Sequence, residues 1–326
     1  MIDRAISWDK IKTLIRAIMK ESWDVCWGLY KILVPALIIT KLLDLAGIIK
    51  HIGTLLDPLM SLVGLPGTMG LVWATGLFGG AYAALAVFLN LLPTTPLTVA
   101  QTTVMLAILL TAHSLLVEVT IASRAGVRPY VVVLVRMGTA LVYGSILSRI
   151  YDAFNLLQTP NRNNMIPSPS VTLLGWAQDQ LVFLVKLFFL LVGLIILMKL
   201  IDWLGITRFL IRLLNPVLRL IGIGERAIPI TVLGIVMGLS FGGGIIASEA
   251  KSGKIAPRDV FFSLLLMSLF HAVIEDTVAV TLFGAHISGI LWGRLIFTFL
   301  VMFLLRLAVN ALPEPAFNKY LFKAAA

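Results

Sequence analysis

Along the chain, apolar runs of about twenty residues alternate with short polar interruptions, and the runs fall into two matching sets of five. Each set opens with a long apolar helix (24–46; 179–201), wide enough in sequence to cross a hydrocarbon core about 30 Å thick. A shorter amphipathic helix follows (48–63; 206–221). Lys50, Thr54, Asp57 and Ser61 form one stripe on the first of these, and the aligned Arg208, Arg212, Asn215 and Arg219 form one on the second. Spacings of four, three and four return to one helix face, the pattern of a helix lying along a membrane interface. The third piece is apolar and rich in glycine (69–92; 227–250), the fourth an apolar helix carrying a histidine and carboxylates (97–121; 257–281), and the fifth a final apolar helix (128–150; 288–311).

The two sets are copies. "KLLDLAGIIKHIGTLLDPLMSLVG" (41–64) and "KLIDWLGITRFLIRLLNPVLRLIG" (199–222) share Lys, Asp, Gly, Leu and Pro at a constant offset of 158, and the same offset pairs His113 with His271 and Glu118 with Asp276. Matched Lys, Asp, Pro and His at one offset are not a by-product of Leu-rich composition. The glycine clusters "GLFGG" (76–80) and "GLSFGGG" (238–244) read as displaced by a few residues through compensating indels. The expected organisation is a basic amphipathic arm (1–23), repeat 1 (24–152), a polar linker (153–177), repeat 2 (178–312) and a tail (313–326).

Composition sets the solvent. Hydrophobic residues make up 59% and charged residues 13% of the 326-residue chain, and the mean hydropathy is +1.00, well outside the range of soluble domains. The expected fold class is an all-α polytopic membrane protein embedded in a lipid bilayer. The basic first twenty residues contain no apolar core, so no cleavable signal peptide is expected. The single cysteine, Cys26, excludes an intramolecular disulfide and a multi-cysteine metal site.

Charge decides the topology. If the glycine-rich piece is a re-entrant hairpin, each copy crosses three times and the second is inverted; if it spans, the copies point the same way. With three crossings and the N-terminus inside, sixteen Lys and Arg fall on inner segments and only Lys41, Lys50 and Arg162 on outer ones. The positive-inside rule therefore favours the hairpin, with both termini cytoplasmic in the inner membrane. The net charge of +10 belongs to these inner loops; nucleic acid is not an expected partner.

Candidate chemistry lies where charge is expensive. An ionisable group at mid-bilayer usually marks a pathway or a paired site. His271 and Glu275, four apart, share a face of a regular helix; His113 and Glu118, five apart, meet only if their helix breaks. Pseudo-twofold symmetry brings His113 near His271 and Glu118 near Asp276. Arg136, mid-span in the fifth piece, is a counter-charge for Glu118 or Asp276, or a contact for an anionic solute. These groups suit proton exchange, hydrogen bonding to a polar solute, or a divalent cation; the structural alternative is that each histidine caps a carbonyl and each acid pairs with a cation. Gly79, Gly80, Gly242, Gly243 and Gly244 are expected at the hairpin tips, where backbone turns sharply and approaches a solute. No nucleophile–base pair, Walker motif or dinucleotide fingerprint appears, so an enzyme is not expected and no cofactor is assigned.

The ordered set of apolar helix, amphipathic helix, Gly-rich hairpin, histidine–carboxylate helix and "KSGKIAPRD" connector resembles the Gate, or nucleoside-recognition, domain. That family includes the core of concentrative nucleoside transporters, spore maturation proteins A and B, and the membrane core of Feo-type iron transporters. The resemblance covers most of residues 20–312, as two fused copies. It implies a transport fold with hairpins in a mobile domain and the first and amphipathic helices in a scaffold, moving as an elevator, in a homo-oligomer. It implies a solute between tips 76–80 and 240–244 and helices 111–120 and 269–277. The resulting expectation is a secondary-active carrier of a small polar, nucleoside-like solute coupled to H⁺ or Na⁺. The alternatives are a divalent-metal transporter and a non-transporting scaffold or regulatory subunit. The additional N-terminal helices of the full nucleoside transporters, a GTPase domain and a hairpin cysteine are all missing from this sequence.

Overall fold

The computed structural model describes residues 8–162 and 172–323. Helices carry the fold, with only two isolated β-bridges among the described residues. Among the described residues, six helical stretches are long and apolar enough to cross a membrane: Ile15–Leu45, Val99–Arg124, Pro129–Ala153, Leu173–Trp203, Pro257–Thr281 and Ser288–Asn310. The chain is an all-α polytopic membrane protein.

Helix α1 runs Trp8–Leu45 and α8 runs Leu173–Trp203. The described part of the expected N-terminal arm, residues 8–23, is therefore continuous with the first long helix and not a separate element. Residues 1–7 of that arm, 163–171 of the linker and 324–326 of the tail lie outside the described residues. Each long helix ends at a left-handed glycine, Gly47 or Gly205, and turns into the amphipathic helix α2 (Ile48–Met60) or α9 (Ile206–Leu220). These turns need φ near +70°, which glycine adopts without a Cβ clash.

The glycine-rich pieces are helical hairpins. α3 (Met69–Gly79) and α4 (Ala81–Leu91) reverse at Gly80, and α10 (Ile228–Met237) and α11 (Leu239–Lys251) reverse at Gly238. Each arm of the first hairpin has 11 residues, about 16 Å at the helical rise and roughly half a hydrocarbon core. The fold-back is direct: a Cβ on Gly242 would lie 2.4 Å from the Cα of Gly234, eight residues earlier. The turning glycines, at φ 89° and 101°, are 158 apart, so the hairpins stay in register and no compensating indels are needed. One expectation is corrected here. Gly242, Gly243 and Gly244 do not form the second tip; they lie inside α11, with Gly242 and Gly243 buried at its contacts and Gly244 exposed.

The fourth pieces are broken. α5 (Val99–Thr111) and α6 (Leu115–Arg124) are separated at 112–114, and α12 (Pro257–Leu269) and α13 (Val273–Thr281) at 270–272. Ser114 and Ala272, again 158 apart, hold the left-handed backbone at each break, with φ 49° and 45°. The last pieces are α7 (Pro129–Ala153) and, after a π-helical turn at Ser288–Gly293, α14 (Arg294–Asn310).

Matching helices run in opposite directions. Glu21 of α1 pairs with Lys199 of α8 at 2.7 Å, while Tyr30, further along α1, donates to the Leu184 carbonyl earlier in α8. Likewise Tyr151 bonds Ser288 at 2.8 Å, and Tyr143 stacks on Phe297. The segments after each copy then strap the halves together. Asn161 donates to the Phe283 carbonyl of the second half, while the Lys323 N–H donates to the Gly126 carbonyl of the first half and the Arg128 N–H of the first half to the Leu321 carbonyl.

Arg258 holds the C-terminal strap through Glu314 (2.8 Å), Asn310 and the Leu312 carbonyl. Charged hydrogen bonds of this kind carry about 1 kcal/mol or more even when partly exposed. Arg258→Ala should therefore speed amide exchange at Arg128 and Lys323 roughly fivefold, read by hydrogen–deuterium exchange. Unchanged protection would show that the strap is held by its aromatic packing alone.

Candidate functional site

A helix broken inside an apolar core exposes carbonyls at one new end and N–H groups at the other. Several of these groups find partners in neighbouring elements. The Ala112 carbonyl accepts from Trp73 Nε1 at 3.2 Å, and the His113 carbonyl from Arg136 Nη2 at 2.9 Å. The Ser114 N–H donates to the Gly76 carbonyl of the first hairpin at 2.9 Å. In the second half Arg294 donates twice to the Leu269 carbonyl, at 3.2 and 3.3 Å, and stacks over Phe270.

The charges follow the helix dipoles. Arg136 and Arg294 sit at the C-terminal ends of α5 and α12, where the partial charge is negative. Glu118, and Glu275 with Asp276, sit in the first turns of α6 and α13, where it is positive. Each break thus presents a cation and an anion at fixed places, and the two breaks lie against each other: the His113 and His271 rings have centroids 5.2 Å apart.

At the centre is Glu118, only 3% exposed, ion-paired through Oε2 to the Arg136 guanidinium, which is 0% exposed. Its other oxygen, Oε1, faces His271 Nε2 at 3.7 Å and His113 Nε2 at 4.0 Å. It is buried with no hydrogen-bond partner. Both rings are oriented from the far side. His113 Nδ1 donates to the Leu109 carbonyl at 3.2 Å, and His271 Nδ1 to the Met267 carbonyl at 2.8 Å. A carbonyl only accepts, so Nδ1 carries a proton in each ring, and each ring turns its Nε2 towards Glu118.

Several expectations are resolved or changed by this geometry. Arg136 is the counter-charge of Glu118. His271 lies in the break, outside any regular helix, so its partner is Glu118 of the other half and not Glu275. Glu275 instead accepts from Tyr82 of the first hairpin at 3.0 Å. Asp276 forms no ion pair within 4 Å among the described residues, and its Oδ2 is buried without a hydrogen bond. Gly79 and Gly80 do sit at the first tip, where a Cβ on Gly80 would meet the Ser114 hydroxyl at 3.2 Å. Gly242, Gly243 and Gly244 lie within α11, away from the turn at Gly238.

Three contributors were not read from the sequence. Arg294 is 158 residues after Arg136, so the repeat offset alone was signal enough to find it. Tyr82 and Trp73 carried no such mark. A cavity of ≈ 380 Å³ between α1 and α8, lined by Glu21, Leu191, Met198, Lys199 and Met237 among others, reaches Glu275.

Fold and site together define a multi-pass helical membrane protein with a buried polar centre assembled from both halves of the chain. No family model and no solved structure matches it. The chain is similar to the uncharacterized membrane protein YvoD of Bacillus subtilis (strain 168), 24% identical over 291 residues that cover 87% of this chain and 91% of the relative.

Proposed function

We propose that the protein is a secondary-active carrier of a small polar solute, built from two inverted copies in the inner membrane with both termini cytoplasmic. The observation that carries this reading is the pair of broken helices meeting at His113, His271 and Glu118. A bundle that needed only to be stable would not bury five ionisable side chains, His113, Glu118, Arg136, His271 and Arg294, where its helices are interrupted, because apolar packing is cheaper. Discontinuous helices with their ends aimed at a mid-membrane centre are how carriers hold a solute and a coupling ion.

Other features support the same reading. Equivalent helices that run antiparallel, with three candidate spans per copy, are what inversion produces. Re-entrant hairpins at Gly80 and Gly238 adjoin the breaks, and the resemblance to Gate domains points the same way. The cavity that reaches Glu275 offers a route from one surface, with the Glu21–Lys199 pair at its lining. Under this reading the hairpins and broken helices move as a body against α1, α8 and the amphipathic helices, and H⁺ or Na⁺ supplies the coupling.

The test is uptake by proteoliposomes of labelled nucleosides, nucleobases and organic acids under an imposed H⁺ or Na⁺ gradient. Replacing His113, Glu118, His271 and Asp276 together by their neutral isosteres should abolish accumulation, a loss of at least tenfold. Uptake that survives this replacement unchanged would remove the site from the mechanism.

A further inference from the structure

We propose that His113 Nε2, His271 Nε2 and Glu118 Oε1 form a binding site for a single divalent transition-metal ion. One ligand atom from each of the three residues lies within 4.8 Å of the other two, yet at 3.7 and 4.0 Å the Nε2–Oε1 separations are too long for hydrogen bonds. Glu118 Oε1 is buried and aimed into this gap without a hydrogen-bond partner, which is costly unless something else occupies it. Donors around a tetrahedral ion with bonds near 2.0–2.1 Å are about 3.3–3.5 Å apart, so closing onto a metal requires side-chain shifts of roughly an ångström or less.

The surroundings fit a metal in detail. Each ring's Nδ1–H is held by a backbone carbonyl, the second contact that fixes a ligating histidine's tautomer. Arg136 occupies Oε2 and so fixes the carboxylate with Oε1 left to ligate. Arg294 is committed to the Leu269 carbonyl and Arg136 to Glu118. Two imidazoles and one carboxylate select zinc, cobalt, nickel or iron over the oxygen-seeking Mg²⁺, Ca²⁺ and Na⁺. The two histidines come from opposite halves, so the ion would tie the copies together at their contact. Whether the ion is carried rests on the carrier reading above; whether it binds does not.

Co²⁺ is the probe, added to chelator-treated, detergent-purified full-length protein. One saturable Co²⁺ per chain is expected, displaced by Zn²⁺ and not by excess Mg²⁺ or Ca²⁺, with X-ray absorption reporting two imidazole ligands. His113→Gln and His271→Gln should each weaken binding at least a hundredfold. The wild-type spectrum tests the ligand set even if a variant does not fold. Absence of saturable Co²⁺ binding by the folded wild type, or a spectrum without imidazole scattering, overturns the proposal. So does binding unchanged in both folded variants. Solute uptake that depends on these residues while Co²⁺ fails to bind would sink the metal site and leave the carrier. Binding without any transport would do the reverse.

Discussion

Arg136→Met is expected to destabilise the protein by about 3–5 kcal/mol, and adding Glu118→Gln should recover most of that loss. The guanidinium is fully buried and is the ion-pair partner of Glu118. Removing it leaves a carboxylate stranded in an apolar interior, the case in which breaking a buried pair costs that much. It also strips the donor from the His113 carbonyl at the helix break. Neutralising Glu118 removes the stranded charge but leaves the carbonyl unpaired, so recovery should stop about 1 kcal/mol short. Unfolding of the single and double variants in mixed detergent gives the coupling as a double-mutant cycle. The exposed Lys41–Asp44 pair, at 3.4 Å, is the control, and its removal should cost no more than about 1 kcal/mol. Equal effects at the two pairs, or no recovery in the double variant, would mean the buried centre is not electrostatically organised as described.

Gly242→Ala and Gly244→Ala should shift stability in opposite directions. A Cβ on Gly242 would meet the backbone of Gly234, at 2.4 Å from Cα and 2.8 Å from N, with Met267 Sδ at 2.9 Å beyond. Backbone atoms cannot rotate away, so α10 and α11 must separate, at a cost of about 1–3 kcal/mol for overpacking. The helix-propensity gain of at most about 1 kcal/mol does not cover it. Gly244 has nothing within 4 Å of a built Cβ, so there the propensity gain of up to about 1 kcal/mol stands alone. Thermal unfolding in detergent separates the two. Because the hairpin packs against α12, uptake should fall with Gly242→Ala and stay at the wild-type level with Gly244→Ala. Gly242→Ala as stable as the wild type would show that the hairpin arms are not held at the distance seen.

Both predictions turn on what the sequence left unread. "FGGG" in the second copy offers three glycines that composition treats alike, and only the packing of Gly242 on Gly234 tells them apart. The helix breaks were equally hidden. No proline or glycine marks residues 112–114 or 270–272, and the residues immediately beside them, Leu115 to Val117, Leu269, Val273 and Ile274, are apolar. Lipid and protein interior are alike to an aliphatic side chain, so the apolar pattern runs through the break without a change of period. Arg294 stands 158 residues after Arg136, but nothing in its apolar surroundings tells that its guanidinium meets a carbonyl at a helix break.

The sequence alone determined that the chain is helical and membrane-embedded, and it marked a recurring offset of 158 residues and the anomalous groups His113, Glu118, His271 and Asp276. Those conclusions rest on hydropathy, periodicity and offset, which are properties of the chain read one position at a time. Which groups meet was decided only by the tertiary structure. It broke both fourth helices, set the halves antiparallel, and so joined Glu118 to Arg136 and to a histidine from each copy, while sending Glu275 to Tyr82. The physical reason is that a buried charge is stabilised by whatever donor or counter-charge lies within a few ångströms. That neighbour can be 153 residues away in sequence, as His271 is from Glu118.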